Sequence, residues 1–129
     1  MSSLTQKMST MSSFKARTPA SKEQISNAEK ELGLSFSEEY VEYLSKFGCA
    51  SIYGHEFTGI SSNPRLDVVN VTKSQKTVND NIPFDWYVIE ETNIDSITIW
   101  QDYTGAVYAT KPNETVKILA ESFLYYLCN

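Results

Sequence analysis

The sequence predicts an α+β fold in which two N-terminal helices and a C-terminal helix pack on a single sheet of about four to six strands. The sheet is expected to be antiparallel, or at most mixed. Apolar residues at helical spacing dominate residues 22–47 and 119–127, and three β-rich runs follow one another between residues 86 and 110. The loops between those runs are too short for the crossovers that parallel strands need. Helices, then strands, then a helix is an order typical of α+β domains.

The two N-terminal helices have clear start and stop signals. Ser21 followed by Gln24 fits a capping box, and Gly33 is a natural stop, which predicts a helix over 22–32. A second helix follows almost at once, with Ser35 or Ser37 as its cap and Gly48 at its end. Short helices joined by so few residues form a helical hairpin.

The rest of the chain is predicted in shorter pieces. Residues 52–60 form an irregular strand, Asp67–Val71 forms a second strand, and Thr72 with Gln75 caps a short helix at 73–79. The later elements are the strands Trp86–Glu90, Ser96–Trp100, Ala106–Thr110 and Thr115–Ile118 and the helix Leu119–Leu127. From the apolar stripes we expect the core to contain Leu32, Tyr40, Leu44, Phe47, Ile97, Ile99, Phe123 and Leu127.

Residues 1–20 are rich in serine and threonine and have no apolar periodicity. We therefore expect a flexible tail over 1–20 and a single domain over 21–129. The segment also lacks the apolar stretch of a secretion signal, and no apolar run in the chain approaches a membrane span. A cytoplasmic protein with no membrane partner is expected.

The residues that enzymes and metal sites use are scarce. The chain has one histidine, His55, and two cysteines, Cys49 and Cys128. A Cys49–His55 dyad is the one nucleophile–base pair available, and a buried thiol beside a surface histidine is the more economical interpretation. The adjacent pair Glu90 and Glu91 is expected at a strand end in water. We expect a protein that is not an enzyme and has no cofactor or metal ion.

The charge of −5 is unevenly distributed along the chain. Residues 77–110 contain six acidic residues and no lysine or arginine. An acidic surface repels phosphate backbones, which argues against nucleic acid as a partner and favours a basic protein. Acidic surfaces also serve solubility alone, and that alternative has equal weight on charge by itself.

Aromatic residues lie within the same acidic stretch, a combination suited to gripping a basic protein. Strand alternation puts Trp100 on the face opposite Ile97 and Ile99, so we expect its ring to be exposed. The candidate partner-binding residues are Asp85, Glu90, Glu91, Asp95, Trp100, Asp102 and Tyr103. A competing acidic surface on the second helix consists of Glu38, Glu39 and Glu42.

Five segments in order resemble the SUKH superfamily, the bacterial relatives of a yeast cell-wall assembly regulator. They are Ser21–Gly33 (SKEQISNAEKELG), Leu34–Gly48 (LSFSEEYVEYLSKFG), Ile52–Ile60 (IYGHEFTGI), Trp86–Glu90 (WYVIE) and Ala120–Leu127 (AESFLYYL). The resemblance implies an immunity protein of a polymorphic toxin system, which binds and neutralises a cognate bacterial toxin, often a nuclease. The alternative that it implies is a non-catalytic regulatory module that binds proteins or peptides.

Overall fold

A computed structural model describes residues 3–79 and 81–128, in which helices surround two small antiparallel sheets. The helices are α1 Ser3–Ser9, α2 Lys22–Leu32, α3 Glu38–Phe47, α4 Val68–Val78 and α5 Phe123–Cys128, with a 3-10 turn at Pro64–Leu66. The strands are β1 Lys15–Ala16, β2 Ala50–Ile52, β3 His55–Glu56, β4 Tyr87–Glu91, β5 Thr98–Gln101, β6 Val107–Thr110 and β7 Lys117–Ala120.

The predicted α+β class and antiparallel pairing are confirmed, with the strands divided between two sheets. One sheet has the order β1-β2-β3 and the other has the order β4-β5-β6-β7. An isolated antiparallel bridge between Phe57 and Glu90 connects the segment after β3 to β4, so the two sheets meet along β4. A parallel bridge joins Gly59 to Asp67.

The helical hairpin forms as the local signals predict. The Ser21 hydroxyl accepts a hydrogen bond from the Gln24 backbone N–H at 3.1 Å, and the Gln24 side chain accepts one from the Ser21 N–H at 2.9 Å. Ser37, rather than Ser35, caps α3 by accepting from the Tyr40 N–H. After α3, Gly48 approaches the backbone so closely that a Cβ would lie 1.9 Å from the Thr18 carbonyl oxygen.

The predicted strand Asp67–Val71 is wrong, because these residues begin α4. The Asp67 side chain accepts a hydrogen bond from the Asn70 N–H at 3.3 Å and acts as the N-cap. Val68, Val71 and Thr72 are buried at positions i, i+3 and i+4, which is one face of a helix. Tertiary packing outweighs the β propensity of this valine-rich segment.

The C-terminal elements lie further along the chain than predicted. The edge strand is Lys117–Ala120 instead of Thr115–Ile118, and α5 begins at Phe123 instead of Leu119. Leu119 belongs to the strand and is 44% exposed.

The four-stranded sheet is covered on both faces along β4 and β5, whereas β7 is largely exposed. One face belongs to the main core, in which five of the expected core residues are buried: Tyr40, Leu44, Phe47, Ile99 and Phe123. The other three, Leu32, Ile97 and Leu127, are partly buried against the same core. The second face holds a smaller buried cluster that consists of Val71 of α4, Trp86, Val88 and Trp100.

The described part of the N-terminal segment, residues 3–20, packs on the domain and differs from the expected flexible tail. Leu4 and Met8 of α1 are 1% and 0% exposed within the main core. The Phe14 ring meets the Phe47 ring edge-on at a centroid distance of 4.8 Å, and β1 pairs with β2. A single helix of seven residues is too short for its apolar spacing to stand out in the sequence.

Candidate functional site

The structure separates the sequence-predicted site residues into two groups at opposite ends of β4. Tyr87 pairs with Gln101 and Glu91 pairs with Thr98, so the ends of this ladder lie about 13 Å apart at the usual rise per strand residue. Asp85, Asp102 and Tyr103 belong to the first end, and Glu90, Glu91 and Asp95 belong to the second. Asp80, which shares the acidic stretch, lies outside the described residues.

Glu90 is buried at 2% exposure and does not lie at a strand end in water. Its carboxylate is 2.8 Å from His55 Nδ1 and accepts a hydrogen bond from the Tyr126 hydroxyl at 2.5 Å. Burial, together with the Glu90 charge, raises the pKa of Tyr126 well above its usual value. These contacts tie β3 and α5 to β4, so Glu90 organises the junction between the sheets.

Asp102 is also a structural residue, because its carboxylate closes the β5–β6 hairpin. It accepts hydrogen bonds from the Thr104 N–H at 3.0 Å, the Thr104 hydroxyl, the Ala106 N–H at 3.2 Å and the Tyr108 hydroxyl at 2.8 Å. Burial alone would raise the pKa of Asp102, but these hydrogen bonds to the charged form outweigh it and hold the pKa below that of an ordinary aspartate. Reversal of this charge would damage the fold.

The prediction that the Trp100 ring is exposed is wrong, since Trp100 is 0% exposed. Its indole N–H donates to the Thr110 hydroxyl at 2.8 Å, and its ring packs near Trp86, which stacks on Tyr108 at 3.9 Å. Alternation does place Trp100 opposite Ile99, but α4 covers that second face of the sheet.

Tyr103 is 61% exposed, and it lines a groove together with Glu38 and Glu39. Tyr103 therefore lies beside the acidic surface of α3, which the sequence offered as the alternative contact site. Glu39 has a structural task there, since its carboxylate accepts hydrogen bonds from the Phe123 N–H at 2.8 Å and the Leu124 N–H at 2.9 Å. It caps α5, whereas Glu38 and Glu42 are exposed.

Two adjoining grooves lie where the sheets meet, with volumes of about 400 and 720 Å³. Glu91 and Asn93 line both of them, so the two grooves meet at these residues and form one surface region. We call this the junction groove and define it by the exposed or half-exposed residues Tyr53, Glu56, Val78, Glu91, Asn93 and Asp95. Sequence reasoning missed Tyr53, Glu56 and Val78, which the fold brings from β2–β3 and α4.

The junction groove is acidic and partly apolar. Glu56, Glu90, Glu91 and Asp95 line it, against Lys15 and His55 as its basic lining residues. Glu56 is partly neutralised by Arg65, whose Nη1 lies 3.0 Å from Glu56 Oε1. Tyr53 is 80% exposed and Val78 is 74% exposed, so apolar contact area lies beside the carboxylates.

Strained backbone is concentrated around this groove. Among the described residues, five that are not glycine have positive φ, and four of these line the groove: Ser13, Asn93, Asp95 and Ser96. Such conformations cost free energy and cluster at binding and active sites. Three of the four, Asn93, Asp95 and Ser96, belong to the β4–β5 loop, where the Thr92 hydroxyl lies within hydrogen-bond distance of the Ile94 and Ile97 carbonyl oxygens.

Cys49 and His55, the two residues of the candidate nucleophilic dyad, form hydrogen bonds with different partners. The Cys49 thiol donates to the Phe57 carbonyl oxygen at 3.3 Å, and burial raises the pKa of this thiol. His55 faces Glu90. Within residues 3–79 and 81–128, no group of three or more potential metal ligands occurs, and no helix there has the length and apolar character to cross a membrane.

The fold defines a small α+β domain in which helices cover both faces of an antiparallel sheet. The family model SUKH_5, described as SMI1-KNR4 cell-wall, matches residues 1–129. The protein therefore belongs to the SUKH superfamily, within the SMI1-KNR4 family, and this membership is consistent with an immunity-type protein. The match includes the N-terminal segment that docks on the domain. No curated protein matches the chain.

Proposed function

We propose that this protein is an immunity protein that binds and neutralises a cognate toxin, a nuclease, by covering its basic active surface. The observation on which the proposal rests is the junction groove of a SUKH-family domain, which is concave, acidic and rimmed by exposed apolar side chains. A nuclease must present positive charge to hold its substrate. Covering that surface blocks the reaction without any catalysis by the immunity protein.

We assign the contact to Glu91 and Asp95, with Tyr53 and Val78 supplying contact area. Charges at the rim of an interface accelerate association, and a desolvated aromatic residue at its centre slows dissociation. Hydrogen bonds of Thr92 with Ile94 and Ile97 within the β4–β5 loop support this assignment, because a pre-organised loop loses less conformational entropy on binding. Glu90 and Trp100 are buried, and Asp102 lies at the other end of β4, so none of the three is assigned to the contact.

The test compares association rates of charge-reversed variants with the toxin encoded beside the gene or captured by co-purification. Glu91→Lys with Asp95→Lys should slow association about tenfold or more at low salt and flatten its salt dependence. Glu38→Lys with Glu42→Lys is the matched control, since it makes the same charge change on exposed residues of α3.

The alternatives give distinct results. If the α3 reversal slows association and the groove reversal does not, the contact lies on α3 and the assignment to the groove fails. If the partner captured is a host protein without toxic activity, the protein is a regulatory protein- or peptide-binding module and the immunity function fails.

A further inference from the structure

Glu91 is held in the junction groove by an uncharged side chain of α4. The Gln75 amide donates a hydrogen bond from Nε2 to Glu91 Oε2 at 2.5 Å. The backbone of Glu91 pairs with that of Thr98 in β5. The main chain and one carboxylate oxygen of Glu91 are therefore both fixed, whereas the other oxygen, Oε1, has no hydrogen-bond partner among the described residues.

A second contact fixes the orientation of the Gln75 amide. Asn79, the C-cap residue of α4, donates from Nδ2 to Gln75 Oε1 at 3.2 Å and to the Gln75 carbonyl oxygen at 2.9 Å. Because the oxygen end of the Gln75 amide accepts from Asn79, its N–H end faces Glu91. The opposite orientation would place the amide oxygen against the carboxylate.

The other acids of the groove are held differently. Glu56 forms an ion pair with Arg65, which offsets its charge, and Glu90 is buried. Asp95 is exposed, and no described residue forms a hydrogen bond with its carboxylate. Glu91 is thus the accessible acid of the groove that an uncharged side chain fixes. Its carboxylate is ordered, and no ion pair with a described residue offsets its charge.

The Gln75 contact is not needed to attach α4 to the sheet. The Thr72 hydroxyl accepts a hydrogen bond from the buried Val88 N–H at 3.0 Å, and Val71 packs with Val88 in the smaller core cluster. Thr72 and Val71 lie one helical turn before Gln75, at i−3 and i−4. Gln75 itself is half-buried. Loss of its amide should therefore leave α4 in place.

We propose that Gln75 is a positioning residue, which holds the Glu91 carboxylate for a direct, hydrogen-bonded ion pair with one basic side chain of the partner. This inference rests on the proposed function, because the partner that supplies the basic side chain is the toxin. A carboxylate that is already ordered loses little conformational entropy when an ammonium or guanidinium group binds it. Long-range steering needs no such order, because it depends on the charge and not on the direction of one carboxylate.

The kinetics of binding to the cognate toxin test the positioning role. Gln75→Met removes the amide, keeps a side chain of similar length and leaves the charge unchanged. The association rate constant should stay within about twofold of wild type, and dissociation should become about five- to tenfold faster. Ser74→Met is the matched control, since Ser74 is exposed on the same helix, and it should change neither rate. Circular dichroism verifies that both variants are folded.

A double-mutant cycle with Glu91→Ala distinguishes positioning from a structural role. If Gln75 acts through Glu91, Gln75→Met should accelerate dissociation by less than about twofold in the Glu91→Ala background. An equal acceleration in both backgrounds would overturn the proposal, since Gln75 would then act independently of Glu91. So would a Gln75→Met variant that dissociates as slowly as wild type.

Failure of the proposed function gives different results. If the wild-type protein does not bind the toxin, the immunity function fails, and the inference that rests on it fails too. If the wild type binds and Glu91→Ala does not accelerate dissociation, the assignment of the contact to Glu91 is wrong, together with its ion pair. The positioning role alone fails when Glu91→Ala accelerates dissociation and Gln75→Met does not.

Discussion

Because α1 packs in the main core, truncation of its buried side chains should lower the free energy of unfolding. Met8 is 0% exposed and lies one helical turn after Leu4, so the two side chains present one apolar face to the core. Met8→Ala removes buried atoms and leaves a cavity, at a cost of about 2–4 kcal/mol. At a typical dependence of unfolding free energy on urea, the midpoint should fall by about 1–2 M.

A limit on this loss follows from the length of α1. A helix of seven residues is not stable alone, so a sufficiently weakened α1 detaches and the rest of the domain remains folded. The double variant Leu4→Ala with Met8→Ala should therefore cost less than the sum of the single variants. Deletion of residues 1–11 should cost about as much as the double variant.

Equilibrium urea unfolding followed by tryptophan fluorescence measures these losses. Lys7→Ala is the control, since Lys7 is exposed on the same helix and its change should stay within about 0.5 kcal/mol. If Met8→Ala and the deletion both change the free energy of unfolding by less than about 0.5 kcal/mol, below the usual cost of a buried apolar truncation, α1 is not docked in solution and this reasoning is refuted.

Three further substitutions test the core, the α5 cap and the β5–β6 hairpin by denaturant unfolding. Leu44→Ala should cost about 2–5 kcal/mol, and a loss under about 1 kcal/mol would contradict its place in the core. Glu39→Ala should cost about 1–3 kcal/mol through the lost cap, while Glu38→Ala should change stability by less than about 0.5 kcal/mol. Asp102→Ala should cost about 2 kcal/mol or more at pH 7. Because folding lowers the pKa of Asp102, its stabilisation is complete above the unfolded pKa and is lost as pH falls through the folded pKa, so the cost should shrink below about pH 4. A cost that is constant from pH 7 to pH 3 would contradict the role of the charged carboxylate.

Local signals in the sequence were sufficient for the helical hairpin. Ser21, Ser37 and Gly33 act within a few residues of themselves, so their effect does not depend on the rest of the fold. The bounds of α2 agree with the prediction for this reason. At Asp67–Val71 the β propensity of the valines favours a strand, whereas the N-cap residue Asp67 favours a helix. Packing of Val68 and Val71 in the two core clusters stabilises the helix.

The candidate site was less accessible to sequence reasoning because it depends on contacts between distant segments. Alternation in β5 correctly separates Trp100 from Ile99, but it cannot indicate that α4 covers the second face. The sequence around Glu90 is typical of a solvated strand end. In the fold, the Phe57 bridge and Tyr126 enclose this residue. The candidate acids Glu91 and Asp95 lie at the groove, whereas Tyr53 comes from an unrelated part of the chain.

The central claim is that the junction groove neutralises a toxin, and a protection assay tests it most directly. Cells that express the proposed cognate toxin should grow when they also produce wild-type protein. They should stop growing when the protein contains Glu91→Lys and Asp95→Lys, although that variant is folded and abundant. The Glu38→Lys, Glu42→Lys control should protect as well as wild type. Full protection by the groove variant, or none by wild type, would contradict the account.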